Sequence, residues 1–404
     1  MAGIDLSVNI AGVEFRNPLI VASGPSTLSS EHILKCIRAG AAGAVTKTIT
    51  YDAIQQVQPK PRMLVVNPED ALRNRFYSFY SIDLMSEYKP ELWLRQIREA
   101  KNRSRAYRGV VIASIAGRTF EEWERLARLV EEAGADMVEL NLSCPHLEKG
   151  ELMGRAVSSR PGEVSEVIKT VRRATSLPVI GKLTPQGANP VELAKTMVSS
   201  GVNALVSTAR FQGLIVDLET MQPASWGGFG GYGGPWQTPI SVSWTAHIAM
   251  ERMGVPIIGS GGVSKWGDAV QFILVGASAV QVCTAIMING LKIIPEILGG
   301  IEKWMVNKGF QSIADFSGIS LDKIVPLEKL ERRKRFHVFI DVEKCVKCGI
   351  CIRVCPYNAL ITENAASIPT LDQEKCDNCG LCLSICPRKA ISFKKGLTAD
   401  EQPI

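Results

Sequence analysis

Two cysteine-rich segments near the end of the chain have the spacing of iron–sulfur ligands. The first runs from Cys345 to Pro356 as CVKCGICIRVCP, and the second runs from Cys376 to Pro387 as CDNCGLCLSICP. Each segment has the pattern C-x2-C-x2-C-x3-C-P, which is the pattern that holds two [4Fe–4S] clusters. The chemistry predicted for this part of the chain is therefore the transfer of single electrons.

The fourth cysteine of each segment is expected to ligate the cluster of the other segment. The first predicted ligand set is Cys345, Cys348, Cys351 and Cys386, and the second is Cys376, Cys379, Cys382 and Cys355. Pairs of C-x2-C also bind zinc, but four cysteines followed by a proline in each segment favour a two-cluster, ferredoxin-like domain. Single electrons must come from or pass to a group that handles two, and a flavin is the simplest such group.

The rest of the chain repeats one pattern, an apolar run followed by a segment with helical periodicity. The apolar runs are residues 18–24, 42–50, 110–117, 137–144, 178–184, 204–210, 256–262 and 279–285. Continuous apolar runs are typical of parallel strands covered on both faces. Eight such units in about 290 residues predict an α/β fold, a (β/α)8 TIM barrel. A doubly wound open sheet is the alternative.

Polar residues stand at the carboxyl end of nearly every predicted strand. They are Ser23, Lys47, Asn141, Cys144, Lys182, Thr208, Arg210, Gly261, Gly262, Cys283 and Thr284. In a barrel these strand ends converge on one face, where barrel enzymes carry out their chemistry. Two connections, residues 51–93 and 212–239, are unusually long, and long loops at that face commonly form lids or pocket walls.

Six segments carry a family resemblance. They are NPLIVASGP from Asn17, TKT at 46–48, ELNLSCPH at 139–146, GKLTP at 181–185, GSGGV at 259–263 and AVQVCTAIM at 279–287. In this order they resemble the dihydroorotate/dihydropyrimidine dehydrogenase family, most closely its dihydropyrimidine dehydrogenase branch with a C-terminal ferredoxin domain. The resemblance covers nearly the whole chain. It implies an FMN and iron–sulfur oxidoreductase that reduces or forms a C=C bond conjugated to a carbonyl.

The resemblance implies positions for FMN. Lys47 and Lys182 would meet the flavin, where a cation stabilises the anionic reduced ring. Ala22, Ser23 and Thr48 would line the ring, and Asn141 and Thr208 would hydrogen-bond flavin or substrate. Backbone N–H groups at Gly261, Gly262, Cys283 and Thr284 would surround the phosphate, as is usual after the last two strands of this fold.

The resemblance also implies that Cys144 is the general acid/base, since a thiol pKa can be tuned toward the working pH. Ser143 and His146 would bind the substrate or relay the proton. A buried structural cysteine is the alternative for Cys144, although Cys36 and Cys283 fit that structural role better.

The substrate side departs from the family pattern. Ser81 stands where relatives carry Asn, and Ala209-Arg210 stands where they carry Asn-Thr or Asn-Ser. Ser81, Asp83, Asn141 and Arg210 are the predicted substrate-side residues. Arg210 is expected either to pair with a nearby acid such as Asp83 or to bind an anionic, unsaturated substrate. The aromatic residues of the loop at 224–236 are expected to form pocket walls: Trp226, Phe229, Tyr232 and Trp236.

The expected domains are a catalytic barrel at 1–330 and a ferredoxin-like domain at 331–404. The formal net charge of +6 is mild for 404 residues and does not call for nucleic acid. No signal peptide is visible, and the apolar stretch at 272–288 is interrupted by Gly276, so a helix end followed by a strand is expected there in place of a membrane span. Reduced, metal-binding cysteines favour a cytoplasmic protein.

Residues 228–233, GFGGYG, match a dinucleotide-binding glycine pattern by spacing alone, without the required strand and helix. The electron partner is therefore expected to be a separate FAD/NAD(P)-binding subunit or a ferredoxin, and an oligomer is expected. Two alternative functions remain at this point. The first alternative is a dihydroorotate dehydrogenase, and the second is an electron-transfer subunit of a larger complex whose barrel is no longer catalytic.

Overall fold

Eight parallel strands in the described residues close into a barrel. They are β1 Leu19–Val21, β2 Gly43–Val45, β3 Val110–Ile115, β4 Met137–Asn141, β5 Val179–Lys182, β6 Ala204–Val206, β7 Ile257–Ser260 and β8 Ala277–Val282. Each strand pairs with the next along the chain, and β8 pairs with β1 through Val282 and Val21. The predicted barrel is confirmed, and the open sheet is wrong.

The computed structural model describes residues 4–73, 76–143, 152–153, 157–224, 228–332, 336–364 and 367–395. Its internal contacts divide the chain into two units, Met1–Ile324 and Val325–Ile404. The sequence places this division after residue 330, within the first turns of the second unit. None of the described helices has the length and apolar character needed to cross a membrane.

One helix follows each barrel strand. The helices are α1 Ser30–Arg38, α2 Pro90–Ser104, α3 Phe120–Glu132, α4 Pro161–Ala174, α5 Pro190–Ser199, α6 Thr238–Met250, α7 Trp266–Leu274 and α8 Ile293–Lys308. The short helices Pro68–Leu72 and Thr284–Asn289 lie between them. In α3 the Thr119 side chain caps the helix by accepting from the Glu122 N–H, and Trp123, Leu126 and Val130 are buried at helical spacing.

The barrel interior is apolar at its amino end. Ile20, Ile112 and Ile258 are fully buried there, together with Phe15 from the hairpin Val8–Ile10/Val13–Phe15. A Cβ at Gly43 would lie 2.9 Å from the Phe15 ring, so this strand start must be glycine for the hairpin to close the amino end. The open end is therefore the carboxyl end of the strands.

The two long connections meet over that open end. Phe211–Gly213, Gly230–Gly233, Phe79–Ser81 and Met63–Val65 pair in this order as a four-stranded antiparallel sheet, which we call the lid sheet. A small hairpin, Val216–Asp217/Gln222–Pro223, extends from it. The GFGGYG segment thus forms a lid strand.

The second unit consists of two halves that repeat the same structure. Phe336–Ile340 pairs with Ile391–Lys395, and Leu360–Ile361 pairs with Thr370–Leu371. The short helices Ile350–Arg353 and Leu381–Ile385 begin after Gly349 (φ 68°) and Gly380 (φ 82°). The left-handed backbone at both positions explains the glycine in each cysteine segment.

Candidate active site

A pocket lies at the carboxyl ends of the barrel strands, against the lid sheet, with about 1150 Å³ of empty space open to solvent. Fourteen of the predicted site residues line it: Ala22, Ser23, Lys47, Thr48, Ser81, Asp83, Asn141, Ser143, Lys182, Arg210, Gly261, Gly262, Cys283 and Thr284. Thr208 does not line this pocket, and its buried hydroxyl donates to the Ala209 carbonyl at 3.4 Å. Cys144, His146 and Trp226 lie outside the described residues.

Lys47 is buried at the end of β2 and forms an ion pair. Its Nζ donates to Asp83 Oδ2 at 2.5 Å, and the Arg62 Nε lies 3.4 Å from Asp83 Oδ1. Burial raises the pKa of Asp83, but the charge and hydrogen bond of Lys47, with the charges of Arg210 and Arg62, outweigh it, so the pKa lies below its usual value. Asp83 is therefore a carboxylate at neutral pH.

Lys182 forms a buried network with two residues that the sequence reasoning missed. Its Nζ donates to Glu139 Oε1 at 3.2 Å and to Gln281 Oε1 at 2.7 Å, and Gln281 Nε2 donates to Glu139 Oε2 at 2.5 Å. The three residues come from β5, β4 and β8. Since strand side chains alternate between faces, Glu139 shares the inward face of Asn141, which is the signal that would have found it.

The Thr48 hydroxyl joins three strands. It accepts from Asn141 Nδ2 at 2.9 Å and hydrogen-bonds Ser114 Oγ at 3.0 Å and Ser23 Oγ at 3.3 Å. Asn141 Oδ1 in turn accepts from the Ser143 hydroxyl at 3.2 Å. This network fixes the amide and hydroxyl groups that precede Cys144 in the chain.

Two glycines after β7 line the pocket and pack closely against the start of α6. Gly261 and Gly262 have φ of 92° and 95°, and a Cβ at Gly262 would lie 2.4 Å from Thr238 Oγ1. In the described part of the chain, Thr238 Oγ1 and Ser241 Oγ are buried without a hydrogen-bond partner. The glycine backbone at the pocket wall after the seventh strand is where this fold usually holds a phosphate group, such as the one FMN carries.

Arg210 lies at the edge of the pocket and contacts the lid. Its Nη1 donates to Ser81 Oγ, and the structure shows no ion pair between Arg210 and a described carboxylate. Asp83, the acid that the sequence offers as its partner, is instead paired with Lys47 and Arg62. The predicted substrate-side residues Ser81 and Arg210 therefore contact each other across the pocket rim.

The aromatic residues of the lid are arranged differently from the expectation. Tyr232 and Trp236 pack against each other at 5.3 Å, and Phe211 packs on Trp236 at 5.5 Å, outside the pocket lining. Tyr77 and Phe79 line the pocket in their place. Burial raises the pKa of the Tyr77 hydroxyl, which has no hydrogen-bond partner in the described chain. The sequence reasoning missed both residues because they lie in the long connection at 51–93, away from the ends of the barrel strands.

In the second unit, each predicted ligand set surrounds one cavity. The first cavity is lined by Cys345, Cys348, Cys351 and Cys386, and the second cavity by Cys355, Cys376, Cys379 and Cys382. No three His, Cys, Asp or Glu side chains of the described residues are placed to hold a single metal ion. Four sulfurs spread around a cavity fit a four-iron cube, whose ligands stand apart on its corners.

A pocket at the strand ends of a closed barrel, together with a module of two four-cysteine cavities, is the arrangement of an iron–sulfur oxidoreductase. Residues 5–305 match the model of the dihydroorotate dehydrogenase family, and residues 338–393 match that of the 4Fe-4S dicluster domain. The chain belongs to the dihydroorotate dehydrogenase family. Its cofactors are FMN and two [4Fe–4S] clusters, as the sequence predicts.

Relatives of two kinds cover most of the chain. It is 33% identical over 358 residues, 87% of this chain and 85% of the relative, to the NAD-dependent dihydropyrimidine dehydrogenase subunit PreA of Escherichia coli strain K12. It is 35% identical over 318 residues, 78% of this chain and 99% of the relative, to the catalytic subunit of dihydroorotate dehydrogenase B (NAD(+)) of Pyrococcus abyssi. The corresponding subunit of Thermococcus kodakarensis is 35% identical over 317 residues, 78% of this chain and 98% of the relative. The family resemblance and the oxidoreductase class, acting on CH–CH groups, are confirmed.

Proposed function

We propose that the chain is the catalytic subunit of an enzyme that reduces or forms a C=C bond conjugated to a carbonyl in an anionic substrate. The observation that carries this proposal is Arg210, which lines the pocket and makes no ion pair with a described carboxylate. A guanidinium in this position has N–H donors left for a planar carboxylate, which it binds with a two-pronged geometry.

The charges around Arg210 support an anion. Among the pocket-lining residues, Lys47 and Arg210 both act on Asp83, which leaves one positive charge uncompensated. The Lys182–Glu139 pair is balanced within itself. A cleft with surplus positive charge raises the local concentration of anionic substrates.

The residues that stand where relatives carry pyrimidine-binding amides also favour an anionic substrate. Ser81 stands in place of an amide and its hydroxyl accepts from Arg210, while Ala209 has no polar side chain. A site without its hydrogen-bonding amides loses most discrimination for the donor and acceptor edge of a neutral ring. Orotate is a cyclic unsaturated amide that carries a carboxylate, so dihydroorotate dehydrogenation is the second candidate, and Arg210 is the observation that favours it.

The chain's own residues would divide the chemistry as follows. Bound FMN supplies hydride transfer and the clusters supply single-electron transfer. Lys47, Lys182 and the Thr48 network would orient the flavin, and Gly261 and Gly262 would admit its phosphate. Cys144 would hold or release the substrate proton, with Ser143 close by in the chain.

The electron partner is part of the proposal. The relatives are named as subunits of NAD-dependent enzymes, and the glycine-rich segment of this chain forms a lid strand. We therefore expect a separate FAD/NAD(P)-binding subunit, or a ferredoxin, to exchange electrons through the clusters. The pure chain should react slowly with NADH and rapidly with dithionite.

The test is ligand binding by the FMN- and cluster-loaded chain. Thermal-shift titrations would compare uracil, thymine, orotate, acyclic enoates and aromatic acids. Anions should bind most tightly, Arg210→Lys should weaken them, and Arg210→Ala should weaken them further, by about 1.5–3 kcal/mol for a lost charged hydrogen bond. Arg98→Ala, on the exposed face of α2, is the matched control. Tight uracil binding that is unchanged in Arg210→Ala would overturn the proposal.

A further inference from the structure

The two halves of the second unit are equivalent in backbone and hydrogen bonding. The cysteine segments are offset by 31 residues, and Gly349 and Gly380 take the same left-handed conformation. The Ala359 N–H donates to Cys355 Sγ at 3.4 Å, and the Ala390 N–H donates to Cys386 Sγ at 3.3 Å. This hydrogen bond to sulfur, a type of contact that influences cluster reduction potential, is therefore present at both cavities.

The charges that line the two cavities are not matched. Lys347 and Arg388 line the first cavity, and Asp377 is the charged side chain that lines the second, among the residues described for this unit. At the equivalent positions of the other half, 31 residues away, stand Asn378, Tyr357 and Val346, respectively. All three differences between the halves make the first cavity more positive than the second.

Charged residues that both halves share do not alter this difference. Lys344 pairs with Asp341 at 2.8 Å, and Lys375, one repeat later, pairs with Asp372 at 3.0 Å. These pairs occupy equivalent positions, so their effects on the two cavities cancel in a comparison. The first cavity therefore carries two positive charges where the second carries one negative charge.

We propose that the two clusters differ in reduction potential, that the cluster of the first cavity has the higher potential, and that Lys347, Arg388 and Asp377 set the difference. This inference rests on the proposed ligand sets. Reduction adds one electron, and therefore one negative charge, to a cluster. Nearby cations stabilise that added charge, and a nearby carboxylate opposes it. The first electron from an external one-electron reductant then resides at the first cavity, and transfer from the second cavity to the first is downhill.

The test is a redox titration of the anaerobically purified full chain, followed by electron paramagnetic resonance. The wild type should show two one-electron steps with at least about a tenfold preference for one cluster, which corresponds to about 59 mV. Lys347→Asn and Arg388→Tyr should lower the higher potential alone. Asp377→Val should raise the lower potential alone. Each substitution introduces the residue that stands at the equivalent position of the other half.

Two controls separate charge from structure. Lys347→Arg keeps the charge and should keep both potentials. Lys329→Asn removes an exposed cation outside both cavities and should shift neither potential. If Asp377→Val loses iron, the smaller change Asp377→Asn carries the same test.

Coincident potentials in a wild-type chain with full iron content would overturn the inference. So would a shift of both potentials together in Lys347→Asn, or no shift in either Lys347→Asn or Asp377→Asn. A low iron content in the wild type, or zinc in its place, would instead overturn the two cysteine ligand sets on which this inference rests. The two failures are therefore distinguishable.

Discussion

The Arg210 guanidinium lies directly over the backbone of Gly231 in the neighbouring lid strand. A Cβ at Gly231 would lie 2.5 Å from the guanidinium carbon, which is closer than the two atoms can approach. Because Gly231 is also paired with Ser81 in the lid sheet, this one glycine sets both the position of Arg210 and its hydrogen-bond acceptor.

Gly231→Ala should therefore displace Arg210 without removing its charge. We expect the affinity for anions to fall toward that of Arg210→Ala. The melting temperature of the loaded chain without an anion should change little. Gly228→Ala in the same connection is the control, since a Cβ there meets the mobile end of Ile82 at 3.0 Å. Unchanged anion affinity in Gly231→Ala would show that Arg210 does not bind the substrate from this position.

Cys144→Ala should retain FMN and both clusters and lose turnover by about 10²–10⁴-fold, the range for a lost general acid/base. Cys144→Ser should keep some activity with its pH optimum moved upward. Cys36→Ala is the control, because burial raises the pKa of the Cys36 thiol to about 12 and keeps it neutral. If Cys144→Ala turns over at the wild-type rate, the proton passes through His146 or through another group.

The anaerobically purified chain should contain about eight iron and eight acid-labile sulfide atoms, because two sets of four cysteines hold two four-iron clusters. Cys386→Ala should lose the cluster of the first cavity, although Cys386 belongs to the second cysteine segment, and about half of the iron should remain. Metal analysis and absorption spectra measure both quantities, and Cys36→Ala should keep all of the iron. Stoichiometric zinc would contradict this prediction.

Asp83 should make the barrel sensitive to acid. Burial raises the pKa of this carboxyl, but the three neighbouring cations lower it by more than burial raises it, so the folded-state pKa lies below the usual value of 3.8. The carboxylate thus stabilises the fold at all pH values above 3.8, and this contribution is lost as the pH falls through the folded-state pKa. At neutral pH Asp83→Asn should cost about 3–5 kcal/mol, because it leaves buried Lys47 without its counter-ion.

The measurement is urea unfolding between pH 7 and pH 3, followed by tryptophan fluorescence. All seven tryptophans precede residue 325, so the signal reports the barrel unit. The difference in unfolding free energy between wild type and Asp83→Asn should be constant at neutral pH and should narrow as the pH falls below 3.8. Glu166→Gln, which breaks an exposed pair with Lys169, should change the midpoint little. A difference that does not narrow at all between pH 7 and pH 3 would mean that Asp83 acts through something other than its charge.

Much of this protein is determined by local sequence. Eight apolar runs and the helices between them predict the barrel because each βα unit is read from a few neighbouring residues. The spacing of the eight cysteines predicts the clusters for the same reason. Fourteen of the predicted pocket residues also meet in one pocket, since the ends of parallel strands must converge once the barrel closes.

The tertiary structure alone decided how that pocket is covered and charged. The lid sheet joins Phe79–Ser81 to Gly230–Gly233, and Arg210 reaches Ser81 across 129 residues of sequence. The Gln281–Glu139 bond spans 142 residues. Pairing between segments so distant leaves no periodic or spacing signal in either segment, because the partner that satisfies each polar group is set by closure of the barrel.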